Sequence, residues 1–555
     1  MTDYDVVVAG AGPVGLMLAC ELALGGARTL VVERLAEVDE TIKAGSINTP
    51  TAVALYRRGL LPPLAAVQEA AMRRFREFAG ASAPSAVPPP RFAGHFAGIP
   101  LSADLLDESD PAFAGLGPAA EVGFVPQATL ERLLAERAGE LGVELRRGVE
   151  LAGFETCDDG VTVRLAPGGE ALVPAREAHL PGGEALTPAR EAHAPGEETP
   201  TPAREAPAPT RDVRAGWLVG CDGGRSTVRK LAGFEFPGTD PEITGYQALV
   251  SLTGGERLRG GWNTTAVGTY AHGPMPGRIL TVEFDGTPVD RSAPVTAEEL
   301  TGSLRRVTGE EVTVTEVRTA TRFTDNCRQA TDYRKGRVLL AGDAAHVHSP
   351  FGGQGLNLGM GDAVNLGWKL AAVVRGTAPE GLLDTYTAER HPVGAWVLEW
   401  TRAQIALMRP QAHARALREV VTGMAGTVDG TTYLVKKISG VWQTYDLPGG
   451  HPLVGHSAPD LELADGTRLG GLLHGGRGLL LDLADDGKLR ALAEGYGDRV
   501  DVRTATCPGR PELAGLLVRP DGYVAWAADA GSDGGGEAAD ALDLWFGTPG
   551  APDRA

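Results

Sequence analysis

Apolar positions first gather in short unbroken runs. Asp5 to Val8 is one, followed by a helical stretch to about Leu24 and a second run, Thr29 to Val32, that closes on Glu33. An unbroken run of this length predicts a strand buried on both faces, and apolar residues at helical spacing predict the element between. A helix is expected from about Thr49 to Arg58, and Phe75 to Phe113, rich in Pro, Ala and Gly, reads as loops and short strands. Ala128 to Leu141 is a clean helix, and Val143 to Leu145 and Val149 to Phe154 are strands. Trp217 to Val219 is a further strand. Short β-like runs then recur at Ala248–Leu252, Ala266–Tyr270, Arg278–Glu283 and Val312–Val317, joined by turns. After the strand Val338–Ala341 come helices at about Leu356–Arg375 and Leu382–Met408. The last hundred residues read as strands at Gly470–Asp482 and Arg499–Thr504, a hairpin from Leu516 to Trp526 and a helix from Ala538 to Phe546.

One segment has no such pattern. From Pro167 to Ala208, PGGEALVPAREAHL is followed by PGGEALTPAREAHA and PGEETPTPAREAPA, a tandem repeat poor in large apolar groups. Burial cannot offset the entropy of ordering such a stretch, so 166–210 is expected to be a flexible insertion.

Three of the strands end in motifs that carry chemistry. Gly10-Ala11-Gly12-Pro13-Val14-Gly15, between the first strand and its helix with Glu33 closing the second strand, has the spacing of a dinucleotide-binding turn. There Gly10 permits the tight turn, Gly12 the approach of a pyrophosphate, and Gly15 the packing of helix on strand. The strand from Trp217 ends in Cys221-Asp222-Gly223, ahead of a Ser/Thr-capped helix carrying Arg225 and Arg229. The strand from Val338 ends in Gly342-Asp343, and a loop containing Pro350, Gly352, Gly353 and Gly355 leads into the next helix. Such a corner brings one carboxylate and several backbone N–H groups to a single ligand.

Length and composition narrow the field. At 555 residues with 43% apolar content, the chain is expected to form two or three domains. A net charge of −19 argues against nucleic-acid and anionic-membrane partners. Five scattered cysteines without C-x-x-C suit a reducing cytoplasm and give no zinc or disulfide framework. No signal-peptide pattern and no apolar run long enough for a membrane span stand out.

The three motifs, in this order, resemble the class A flavoprotein monooxygenases, single-component FAD hydroxylases that include phenol hydroxylases and aromatic-polyketide oxygenases. The resemblance spans nearly the whole chain. It implies an α/β fold: a Rossmann-like FAD-binding domain at about 1–75, 120–235 and 335–400, an interleaved β-sheet substrate domain at about 76–119 and 236–334, and a helical segment at 400–445. A thioredoxin-like domain, 451–555, lacks the C-x-x-C of redox chemistry, so packing or dimerisation is its expected role.

By the same resemblance Gly10, Gly12, Pro13 and Gly15 meet the FAD pyrophosphate, and Glu33 with Arg34 the adenosine ribose. Lys43, standing where many relatives have arginine, and Gln127 contact the flavin. Asp222 and Gly223 are structural for FAD and the nicotinamide approach. Asp343 meets the ribityl chain, Pro350 offers its carbonyl near the flavin, and Gly353, Gly355, Leu356 and Asn357 run along the isoalloxazine; Pro350 and Lys43 are the catalytic candidates. Tyr270, His272, Met275 and Phe284 are candidates to line the substrate pocket.

Only one dinucleotide fingerprint is present and FAD fills it, so NADPH or NADH must bind transiently. The implied reaction places one atom of O₂ in a polycyclic aromatic, polyketide-type substrate through a C4a-(hydro)peroxyflavin. Baeyer–Villiger oxidation and inactivation of an aromatic antibiotic remain alternatives on the same scaffold. A monomer or a homodimer fits equally.

Overall fold

In a computed structural model the chain is described over residues 2–80, 92–168, 211–273, 275–284, 286, 293–379, 381–485, 487–532 and 534–550. The repeat expected to be flexible lies almost wholly outside these residues.

The first strand, Tyr4–Ala9, is the middle of the largest sheet because its Val6-Val7-Val8 core is fully buried on both faces. It pairs in parallel with Thr29–Glu33 on one side and Arg211–Gly220 on the other. Glu144–Arg147 extends the sheet beyond Thr29–Glu33, and Val338–Leu340 extends it beyond Arg211–Gly220, both again parallel. Arg334–Lys335 pairs antiparallel with Val338–Leu340 at one edge, and the strands Val149–Cys157 and Gly160–Pro167 join through Arg211–Gly220 as an antiparallel ribbon. Helix Pro13–Leu24 lies between this sheet and the long helix Gln354–Arg375. All three glycine motifs therefore leave the carboxyl ends of neighbouring parallel strands, the edge at which open α/β sheets bind ligands.

A second sheet is wholly antiparallel, in the order Gly261–Thr264, Gly268–His272, Arg278–Glu283, Thr244–Thr253, Thr313–Phe323. Helix Ala297–Thr308 packs on one face through Leu300, Leu304 and Val307. The other face gives Leu280, Val282 and Phe323 to a cluster with Phe96, Phe351, Trp400 and Met408. Helices Thr385–Met408, Ala412–Ala425 and Val428–Ser439 follow the flavin-type motifs and close that cluster.

The last domain has the strand order Val500–Thr504, Gly478–Asp482, Leu513–Val518, Val524–Asp529. The first two are parallel, the others antiparallel, and helices Lys488–Ala493 and Gly535–Phe546 flank them, a thioredoxin-like arrangement.

Two expectations need correction. The range read as loops and short strands from Phe75 begins inside a helix, Leu61–Gly80, whose Leu, Ala, Glu, Gln and Arg content favours that state despite the prolines in its first turn. The strand expected over Gly470–Asp482 is a short helix, Leu469–Leu472, and a strand, Gly478–Asp482. Gly476, at φ +68°, turns the chain between them.

A candidate flavin site between two glycine corners

At the end of the first strand Gly10 sits at φ +105°, and a Cβ there would lie 2.4 Å from the Cys221 carbonyl oxygen. Gly15 is bound as tightly, since its Cβ would lie 2.0 Å from the Gly10 oxygen. Both glycines are required by the protein itself, to let strand, turn and helix converge. Gly12 differs: its φ is −67° and nothing stands within 4 Å of the Cβ position. It opens on free space at the N-terminus of helix Pro13–Leu24, where orphan N–H groups and the helix dipole favour an anion. Pro13 begins that helix, where a missing N–H costs nothing. Glu33 braces the turn, its two oxygens accepting the Ala11 and Leu35 N–H groups, each at 2.9 Å. Arg34 beside it is exposed.

This geometry separates folding from cofactor retention. Gly12→Ala is expected to leave the apoprotein melting temperature unchanged and to weaken FAD binding at least about tenfold, since a methyl would occupy the space a pyrophosphate needs. Flavin absorbance after gel filtration, beside the apoprotein melting curve, checks both halves.

The second corner follows Val338–Leu340. Gly342 turns at φ +63° and leaves Asp343 exposed. The loop returns through Pro350, whose carbonyl accepts the Gly353 N–H at 3.2 Å. Gly352 and Gly353, at φ +80° and +62°, aim the start of helix Gln354–Arg375 back towards Asp343. A Cβ on Gly355 would lie 3.9 Å from the Asp343 carboxylate and 3.5 Å from His348, so that helix start packs beside both. Leu356 is half-buried next to it. Asn357 is a stitch: its Nδ2 donates to the Gly353 carbonyl and its Oδ1 accepts the Asn48 N–H, each at 2.8 Å. Ser46, Asn48, Ala93, Gly352, Gly353 and Asn357 line a cavity of about 210 Å³. A second hollow, of about 380 Å³, lies around Tyr4, Ala27 and Glu144 at the far end of the strands, away from every glycine motif.

The third motif is a cap. Asp222 accepts the Ser226 hydroxyl at 2.5 Å and the Thr227 and Val228 N–H groups at 2.7 and 3.1 Å, and Gly223 turns beside it at φ +79°. The Gln127 N–H donates to the Ala44 carbonyl at 2.9 Å, which sets that helix start against the Lys43 loop. Lys43 itself is exposed, with its Nζ 2.9 Å from Asp39, so a flavin contact requires that pair to open. Of the pocket candidates, Tyr270 is buried against helix Ala297–Thr308 and Met275 is exposed, so neither lines the cavity. Phe284 does pack against the Phe351 and Trp400 cluster.

A buried charge network that no sequence motif marks lies beneath the second corner. Asp362 Oδ2 accepts the Gly342 N–H at 3.0 Å and meets His346 Nε2 at 2.7 Å, while Oδ1 accepts Arg390 Nε at 2.8 Å. Burial would push the Asp362 carboxyl up, and His346 and Arg390 hold it below the ordinary value. The available signal was a charge amid small and apolar neighbours, Met360-Gly361-Asp362-Ala363-Val364, on a buried helix.

The chain matches the FAD binding domain family over residues 3–171 and 189–401, and the aromatic-ring hydroxylase C-terminal family over 451–549. It belongs to the FAD-dependent aromatic-ring hydroxylases and is a monooxygenase. The 12-dehydrotetracycline 5-monooxygenase/anhydrotetracycline 6-monooxygenase of Streptomyces rimosus is 41% identical, over 98% of this chain and 99% of its own. A rifampicin monooxygenase from Streptomyces venezuelae is 38% identical, again over 98% and 99%. The solved anhydrotetracycline hydroxylase of Streptomyces rimosus superposes with a TM-score of 0.77 at 40% identity, covering 98% of this chain and 99% of that one.

FAD fits the residues present. The open space at Gly12, the braced Glu33 and the exposed Asp343 stand along one sheet edge, and the cavity adjoins the helix that starts at Gln354. When bound, FAD supplies the two-electron chemistry that activates O₂. The chain's own work is to grip the dinucleotide, hold the substrate beside it and keep water from the reacting atoms.

Proposed function

We propose that this monooxygenase takes its electrons from NADPH or NADH and hydroxylates a fused-ring phenolic polyketide of the anhydrotetracycline type. The observation that carries the reading is the juxtaposition of the Gly352-Gly353 corner with an aromatic cluster that backs it: Phe351 lies 6.0 Å from Trp262 and 5.9 Å from Phe323, ring centre to ring centre. Flat aromatic ligands are held by such walls with a few polar groups fixing their orientation. The full-length similarity to tetracycline monooxygenases supports the same substrate class.

In this reading Gly10, Gly12, Pro13 and Gly15 hold the pyrophosphate, and Glu33 and Arg34 the adenosine ribose. Gln127 and Asp343 hold the ribityl side. Pro350, Gly353, Gly355, Leu356 and Asn357 edge the ring system, and Asp222 and Gly223 shape the approach of the nicotinamide. The nicotinamide binds transiently, because the single dinucleotide turn is taken.

The test is NADPH and NADH oxidation by the FAD-loaded enzyme with anhydrotetracycline under ¹⁸O₂. One labelled oxygen per product, carried as a new hydroxyl, is the expected result. Label inside a lactone ring would move the reading to Baeyer–Villiger oxidation. Absence of nicotinamide oxidation with anhydrotetracycline and with a panel of hydroxyanthraquinones would overturn the substrate class.

A further inference from the structure

The strand Phe92–Phe96 supplies Ala93 to the cavity wall and carries His95 two residues further on, with a bulge at Ala93 interrupting the strand's alternation. The imidazole of His95 lies against the Trp262 ring at 4.6 Å, and Trp262 in turn abuts Phe351 of the flavin loop. A wall runs from His95 to that loop with every member aromatic.

The hydrogen bonding of His95 is asymmetric. Its Nδ1 accepts the Gly98 N–H at 3.3 Å, which leaves the ring proton on Nε2. Nε2 has no partner among the described residues and is not closed off by protein atoms. Burial pushes the imidazole down to about 4, so near neutrality the ring is uncharged. A neutral N–H donor at the end of an aromatic wall suits an oxygen acceptor on a flat ring system. It suits a carboxylate or phosphate less well, since these draw charged, forked donors.

We propose that His95 is a substrate-binding residue whose Nε2–H donates to a carbonyl or phenolic oxygen of the fused-ring substrate and sets which edge of that substrate faces the flavin corner. The assignment rests on the substrate class proposed above. Gly98 is part of the device: at φ +76° it turns the chain so that its N–H reaches His95, and its Cβ position lies only 3.1 Å from the Trp262 ring.

The experiment uses FAD-loaded full-length enzyme and two probes, anhydrotetracycline and 1,8-dihydroxyanthraquinone, titrated while the flavin absorbance spectrum is recorded without nicotinamide. His95→Phe keeps the ring and removes the donor; His95→Gln keeps an N–H donor at about the Nε2 position. With His95→Phe the Kd of both probes is expected to rise about tenfold, with a matching rise in KM and a mixture of hydroxylated regioisomers. With His95→Gln the rise should stay within about threefold, while FAD content remains that of the wild type in both variants. Equal probe affinity and a single product in wild type and His95→Phe overturn the assignment. Should His95→Phe lose FAD or fail to fold, His95→Gln decides together with His95→Leu, and equal probe binding by those two overturns it as well. Failure of either probe to bind the wild-type enzyme is a different outcome: it removes the substrate class and this assignment with it.

Discussion

Changing Arg519 to alanine is expected to cost about 3–5 kcal/mol and to loosen the C-terminal domain from the flavin domain, because it leaves carboxylates buried without their cation. Arg519 is fully buried. It donates to both oxygens of Glu389, at 2.9 and 2.7 Å, and through Nε to Asp521 at 3.1 Å. Its guanidinium also lies 4.4 Å from the centre of the Trp545 ring. Glu389 is on the flavin-domain helix Thr385–Met408 and takes further support from Lys369 at 3.0 Å and Asn365 at 2.6 Å. Arg57 and Arg58 cross the same boundary in the other direction, reaching the carbonyls of Ala458, Leu473, Pro520 and Gly522. A domain without redox cysteines is thus joined to the site by buried ion pairs.

The pH dependence of this junction has a definite sign. Burial would raise the Glu389 carboxyl, but Arg519 and Lys369 beside it bring it down to about 2, against an ordinary 4.5. A depressed folded-state value contributes stability above about pH 4.5 and loses it as pH falls from there through 2. The urea midpoint of the wild type is therefore expected to fall between pH 5 and 3 more steeply than that of Glu389→Gln. Limited proteolysis at pH 7 should release the C-terminal domain from Arg519→Ala and not from the wild type. Intact digestion patterns and an unchanged urea midpoint in Arg519→Ala would remove the junction's role.

The parts of this architecture legible in the sequence were those written in local chemistry. Gly10 and Gly15 sit where backbone approaches backbone and Gly342 where the chain turns at φ +63° against Val14, and such positions announce themselves as glycine at fixed spacing after an apolar run. The continuous apolar strands were legible for the same reason: burial on both faces leaves no alternation to confuse them with a surface. Long-range partnership left no comparable mark. Lys43 is a flavin candidate by its place in a motif, but no motif announces the partner it holds at the surface, Asp39, four residues earlier. Tyr270 looked like a pocket residue because aromatic residues line pockets, but strand alternation turns it towards helix Ala297–Thr308. Lys369, Glu389, Arg390 and Arg519 each look like a solvated charge on a helix or hairpin until their partners, up to 130 positions away in the chain, are brought beside them. In the sequence His95 is only part of a loop-rich stretch, since the stacking that gives it meaning comes from Trp262 on another sheet.

Glu389 and Arg390 are adjacent, and this adjacency connects the domain junction to the cofactor corner. Glu389 holds Arg519; Arg390 holds Asp362, and Asp362 holds the N–H of Gly342, the residue before Asp343. Asp362 is fully buried and Arg390 nearly so. The remaining donors of Arg390 go to Tyr445 at 3.1 Å and the Leu358 carbonyl at 2.9 Å, so the guanidinium has no room to seek another anion. Asp362→Ala would leave a buried cation and an unpaired Gly342 N–H, at a cost of about 3–5 kcal/mol, and is expected to yield little soluble protein. Asp362→Asn is the informative variant. It keeps the shape and one acceptor oxygen but cannot serve Arg390, His346 and Gly342 together, so the turn that presents Asp343 loses its anchor. FAD affinity is expected to fall about tenfold, with a folded protein by far-ultraviolet circular dichroism, whereas Asp343→Asn should lower FAD affinity without shifting the apoprotein melting temperature. If Asp362→Asn lowers the apoprotein melting temperature and retains wild-type FAD affinity, the buried aspartate serves folding alone, and the corner is positioned by its glycines without it.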